Sequence, residues 1–205
     1  MEGSTILEKV DSRKYISLAD KLAELEKIYC SSDEQSKAEL RRAVINDYLC
    51  SEKANYGIHI CGALRLKEAA PNLMSLLEDS TPKQDIEAAI LALGDIGHEP
   101  AYFLIERYVS EHNHQALIAL SNIDFQRTVP YINQLIGENS FFLTLECIFA
   151  DMLERYGAET TLENLRYLKT DNPEKRRFIL GALQSGAGGL PEAKKLLENV
   201  GKALG

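Results

Sequence analysis

The sequence predicts an all-α protein, an α-solenoid of about five helical pairs behind an N-terminal helical cap. Three observations carry that expectation. First, a small residue recurs near the end of a helical segment, at Ala63, Ala92, Ala119, Ala150 and Ala182, with spacings of 29, 27, 31 and 32 residues, and leucine follows it at all but Ala150. Second, three segments, 69–79, 128–138 and 190–198, share a proline and the same apolar offsets after it. These are Leu73, Leu76 and Leu77 after Pro71; Ile132, Leu135 and Ile136 after Pro130; Ala193, Leu196 and Leu197 after Pro191. Third, no stretch alternates apolar and polar residues as a strand would, and no Asn-Gly or Asp-Gly hairpin signal occurs.

Residues 1–51 are expected to form the cap and residues 52–205 the array. Residues 1–16 show no strong pattern and are expected as a loose terminus. From Leu18 to Cys30, Leu18, Leu22, Leu25, Ile28 and Tyr29 share a helical face behind a Ser17 cap with Asp20 in the first turn. Ser36 and Glu39 read as a capping box for the next helix, which carries Leu40, Ala43, Val44 and Tyr48.

The clearest unit is Ala88 to Ile105. Ile86, Ala89, Ile90 and Leu93 fall at i, i+3, i+4 and i+7, Gly94 or Gly97 ends the helix, and a second helix begins near Ala101. Ala89 and Ala92 permit close helix approach. A proline in the first helical turn loses no hydrogen bond, so Pro71, Pro130 and Pro191 are placed at second-helix starts. The Ala150 unit departs from the pattern, reading FADMLERYG.

The Ala-Leu-Gly, later glycine and second-helix start of ALGDIGHEPAYFLI resemble the short HEAT repeats of bacterial and phycobilisome-lyase type. The resemblance covers roughly residues 52–205 and implies a right-handed superhelix of HEAT-like pairs. It is specific for architecture, since HEAT arrays serve scaffolds, inhibitors, lyase subunits and a few enzymes.

Composition narrows the function classes. The 205 residues are 45% hydrophobic and 26% charged, with 31 acidic against 23 basic side chains and a net charge of −8. Such a balance opposes general nucleic-acid binding and favours encounter with a basic protein. No apolar run reaches the roughly 18 residues of a membrane span, and the first residues lack a signal-peptide core, so a cytoplasmic protein is expected. Cys30, Cys50, Cys61 and Cys147 form no CxxC pair, which fits a reducing compartment, and Cys61 and Cys147 are expected as small buried hydrophobes.

Enzymatic readings find little support. HEAT proteins similar to deoxyhypusine hydroxylase hold two irons with several His-Glu pairs at repeat turns. Here only His98-Glu99 has that form, with Lys67-Glu68 and Phe125-Gln126 at the neighbouring turns. His112 and His114 in EHNH are read as solvated loop residues. A HEAT-like DNA glycosylase needs a basic channel, whereas Arg41-Arg42, Arg65, Lys67, Arg107, Arg155 and Lys175-Arg176-Arg177 are scattered. The glycine clusters GDIG and GAGG lack the strand and Lys-Ser/Thr of a phosphate loop.

What remains is surface. If second helices line a concave face, their outward positions are Asn72, Ser75 and Asp79, then Tyr102, Phe103, Glu106 and Arg107, then Tyr131 and Gln134. Aromatic residues at such positions suit protein contacts. The expected function is a non-catalytic protein-binding module without cofactor or metal, with no nucleic-acid or membrane partner, such as an immunity or inhibitor protein that neutralises a basic toxin. A lyase-like or chaperone subunit handling a bilin or client chain, and a di-iron hydroxylase, are the alternatives that the resemblance leaves.

Overall fold

The computed structural model describes residues 3–13, 17–78, 82–110, 114–168 and 170–187. The described residues are all-helical, with eleven helices and no strand, and none of these helices is long and apolar enough to cross a membrane. Two compact units divide the chain, Met1–Leu104 and Ile105–Gly205.

In the first unit, α1 (Gly3–Asp11) corrects the expectation of a loose terminus. Ile6, Leu7 and Val10 make a stripe at i, i+1 and i+4, and all three are buried. Helix α2 (Leu18–Ser31) starts where expected, with Ser17 Oγ accepting from the Asp20 amide. Of its expected apolar face only Leu25 is fully buried, and Leu18 stands exposed. Helix α3 (Glu34–Ala43) begins earlier than Ser36. Asp33 is its N-cap, and Asp33 Oδ1 accepts from the Ser36 amide at 2.8 Å. A carboxylate at the cap satisfies an amide and meets the positive end of the helix, so Asp33 outcompetes the downstream serine. One π-turn, Val44–Tyr48, extends α3 and buries Val44 and Tyr48.

Helix α4 (Ala54–Ala63) packs on α6 (Lys83–Ile96), which also receives α5 (Ala70–Glu78). In α6, Ala89, Ile90 and Leu93 are buried as expected, and Ala88, Ala92, Gly94 and Ile96 join them. The end of α6 is a Schellman cap. Gly97, at φ 69°, donates to Gly94 O, and the His98 amide donates to Leu93 O. The same cap closes α4 thirty-two residues earlier, with Arg65 donating to Gly62 O and Leu66 to Cys61 O. There the left-handed position is held by Arg65 at φ 50°. Each cap leads into a short 3₁₀ turn, Lys67–Ala69 or Glu99–Ala101, before α5 or α7 (Tyr102–Glu106).

In the second unit, α8 (His114–Ile123) packs against α9 (Phe125–Leu135) and α10 (Phe142–Leu165), and α10 against α11 (Pro173–Gly186). Helix α9 starts three residues before the expected segment, because Asp124 caps it by accepting from the Arg127 amide at 3.1 Å. Pro130 therefore lies inside α9 rather than in its first turn. The missing N–H leaves the carbonyl of exposed Gln126 to water, which limits the cost. The departing fourth unit is a helical pair fused end to end: Gly157, at φ 73° and ψ 178°, breaks α10. Leu145, Ile148, Phe149 and Met152 form its buried stripe. Cys147 lies off that stripe and is exposed, contrary to expectation, whereas Cys61 is buried as expected. Segment 190–198 falls outside the described residues.

Helices α4, α6, α8, α10 and α11 begin at residues 54, 83, 114, 142 and 173, 28 to 31 residues apart. Polar bridges join successive members within each unit. Asn55 Nδ2 donates to Asp85 Oδ1 at 2.7 Å, Asn122 Nδ2 donates to Asp151 Oδ2 at 3.0 Å, and His114 Nδ1 lies 2.6 Å from Thr144 Oγ1.

Two substitutions test this account. Arg65→Gly should raise stability by about 0.5–1 kcal/mol, because it relieves a side chain from the left-handed region at an exposed cap. Leu93→Asp should cost about 3–5 kcal/mol by burying an unpaired charge. Urea denaturation of both variants reads the two changes.

Candidate functional site

The expected surface residues divide between the two units. In the first, Asn72 and Ser75 are exposed on α5, and Ser75 Oγ donates to Pro71 O at 3.2 Å. Asp79 lies outside the described residues. Phe103 is 65% exposed, while Tyr102 is 1% exposed and belongs to the core, which corrects its outward placement. The reason is the 3₁₀ turn before α7. Thirty-two residues after the buried pair Ala69 and Ala70, Ala101 and Tyr102 occupy the same place behind the cap, and both point inward. Tyr102 and Phe103 meet edge to face, with ring centroids 6.2 Å apart. One ring of the adjacent pair is thus structural and the other is offered to solvent.

In the second unit the structure brings Glu106 and Tyr131 together. Tyr131 Oη donates to Glu106 Oε1 at 2.7 Å, tying α9 to the segment before α8. Both are half-buried, whereas Arg107 and Gln134 are exposed. Three further large side chains that sequence reasoning missed stand out here: Leu143, 70% exposed at the start of α10, Tyr156 just before the Gly157 break, and Tyr167 beyond α10. Tyr156 Oη donates to Asn122 O at 3.2 Å. The signal for Leu143 was present in the sequence, since it stands outside the stripe of Leu145, Ile148, Phe149 and Met152.

His98 and Glu99 sit at the turn where they were expected, His98 as the residue that leads into the 3₁₀ turn. Among the described residues, no three His, Cys, Asp or Glu side chains gather as a metal would require. His112 lies outside the described residues, and His114 faces Thr144 and the Phe141 ring. His59 is half-buried on α4, and burial pulls its pKa below the usual value against the opposing pull of Asp85. Burial pushes the Cys61 thiol up to about 12. The exposed Cys147 is raised too, by desolvation and then by Asp151 and Glu146. Neither thiol is poised as a nucleophile.

A second polar constellation, also missed from sequence, lies at the N-terminal end of the first unit. Asp11 Oδ2 accepts from Lys53 Nζ at 2.6 Å, and Lys21 Nζ donates to Asp11 O at 2.7 Å with Asp11 Oδ1 at 3.6 Å. The hydrogen bond from Lys53 is the main cause that holds the Asp11 carboxyl below its ordinary pKa. Lys53 also stands over the Tyr48 ring and Lys21 over the Tyr56 ring, at 5.2 and 5.8 Å from the centroids. The two rings pack at 6.0 Å, and both hydroxyls are buried. Burial raises both phenols, Tyr56 to about 12.

The chain matches no protein-family model and no curated protein.

Tyr102→Ala should cost about 3 kcal/mol or more, while Phe103→Ala should change stability by no more than about 0.5 kcal/mol. Paired thermal melts check this contrast. A pH series tests His59. Its folded pKa lies below the unfolded value of 6.5, so its contribution is intact above that pH and is lost as the pH falls through the folded pKa. The melting temperature should fall from pH about 7 to pH about 5, and His59→Gln should flatten that slope.

Proposed function

We propose that this protein is a non-catalytic protein-binding module built as a right-handed α-solenoid of HEAT-like pairs, and that it holds a basic protein partner. The helix starts near thirty-residue spacing and the polar bridges between successive first helices support the array. The observation that carries the binding role is Phe103. It is the exposed ring on a short helix whose Tyr102, Leu104 and Ile105 are all buried. A rigid exposed aromatic ring fits an arginine or lysine side chain, which gains apolar cover and a cation–π contact. The net charge of −8 adds long-range attraction for such a partner. An immunity or inhibitor protein that occludes the basic active surface of a toxin is the specific role in which these properties combine.

Crosslinking in the source cells, followed by purification, identifies the bound protein. That protein should be basic, its affinity should fall as salt rises, and Phe103→Ala should weaken binding by about tenfold or more without lowering the melting temperature. If the partner is a toxin, its activity should be lost in the complex. A neutral or acidic partner whose affinity ignores both salt and Phe103 would overturn the reading.

A further inference from the structure

In the second unit, α8, α10 and α11 lie side by side and run in the same direction. His114 and Asn122 of α8 reach Thr144 and Asp151 of α10, and Gly181 and Gly186 of α11 approach first Phe142, then Glu146 and Ala150. Between these neighbours, the stretch of α10 before Gly157 turns one face to water. Leu143, Cys147, Ala150 and Glu154 occupy that face at intervals of 4, 3 and 4 residues, the spacing of a coiled-coil seam. Leu143 is 70% exposed, Cys147 and Glu154 are exposed, and Ala150 is half-buried. Glu146 and Asp151 hold the two positions that flank such a seam, Asp151 on the α8 side, where Asn122 Nδ2 donates to its Oδ2 at 3.0 Å. Desolvation raises the pKa of the Cys147 thiol, and Asp151 and Glu146 on either side of it add to the rise.

On α6 the outward Glu87 is met by Lys83 of the same helix at 3.6 Å, whereas Glu146 and Glu154 have no Lys or Arg three or four residues away. Among the described residues, neither these two nor Asp151 has an ion-pair partner. We infer that this face of α10 docks an amphipathic helix of a protein partner, one with apolar residues along its seam and Lys or Arg on both flanks. Leu143 supplies the apolar contact, the small side chain of Ala150 lets the incoming backbone come close, and Glu146, Asp151 and Glu154 pair with the bases. A second copy of the chain does not fit, because α10 set against itself in either direction brings carboxylate to carboxylate. This surface belongs to the second unit and does not depend on the role given to Phe103.

The probe is a fluorescent three-heptad peptide with Leu at its seam positions and Lys at both flanking positions. Anisotropy with the full chain should show binding that weakens as salt rises. Leu143→Glu should weaken it by about tenfold or more at an unchanged melting temperature, since that side chain stands in water, and Phe103→Ala should leave it as it is. The paired variant Glu146→Lys, Glu154→Lys should lose the Lys peptide and gain a peptide with Glu at the flanking positions, a reversal that damage to the fold would not produce. Bound Lys peptide should slow alkylation of Cys147, read by mass spectrometry, while the exposed Cys30 and Cys50 react at their free rates. Peptide affinity indifferent to Leu143→Glu, an unchanged peptide preference in the charge-reversed variant, no protection of Cys147, or a dimer of the chain held through α10 would overturn the inference.

Discussion

A helical pair of about thirty residues cannot close a core of its own, and this constraint organises the chain. Helix α6 shows it: Ala88, Ala89, Ile90, Ala92, Leu93 and Ile96 are all buried, more than one face of a helix can place against a single neighbour. Helices α4 and α5 both pack on α6, and α10 serves α8 and α11 in the same way in the second unit. Within the first unit α4 and α5 therefore depend on α6 for their burial, and within the second α8 and α11 depend on α10. The bridges Asn55–Asp85 and Asn122–Asp151 set the register where apolar contact alone would allow sliding.

The all-helical fold was legible because the apolar period repeats, and the interior of α6 follows it closely. The ends were less legible, for a physical reason. A helix end is decided by competition among nearby capping groups, and Asp33 and Asp124 won against Ser36 and Pro130. The proline signal was misleading in α9, where Pro130 is tolerated because the carbonyl it frees is at the surface. Helix α1 escaped notice because its stripe holds only three apolar residues. Its stability comes from its seat, and a seat is tertiary.

The candidate surface was legible only in part. Phe103, Arg107 and Gln134 are outward, while Tyr102 is inward, because a short 3₁₀ turn resets the phase between the helices of a pair. No periodicity inside one helix reports such a reset. Comparison between copies would have, since Ala70 holds the place of Tyr102 one unit earlier and a small residue there signals an inward position. The Asp11 clamp was beyond reach for another reason. Its members come from three helices and the π-turn, and nothing in their spacing announces that they meet.

The caps of α4 and α6 show how copies of a unit can diverge and still fold alike. Backbone hydrogen bonds of the same pattern close both helices, although the left-handed residue is Arg65 in one and Gly97 in the other. The geometry is held by the amides of two residues and the carbonyls behind them, so the side chain at that place is free to vary at a cost of about 1 kcal/mol. The same tolerance extends to solvent-facing positions, where no packing fixes identity. Side chains buried at matching places behind the two caps, Ala69 and Ala70 in one and Ala101 and Tyr102 in the other, hold these turns to the core. Phe103 on α7 and Leu143 on α10 instead face water, where no packing fixes their identity.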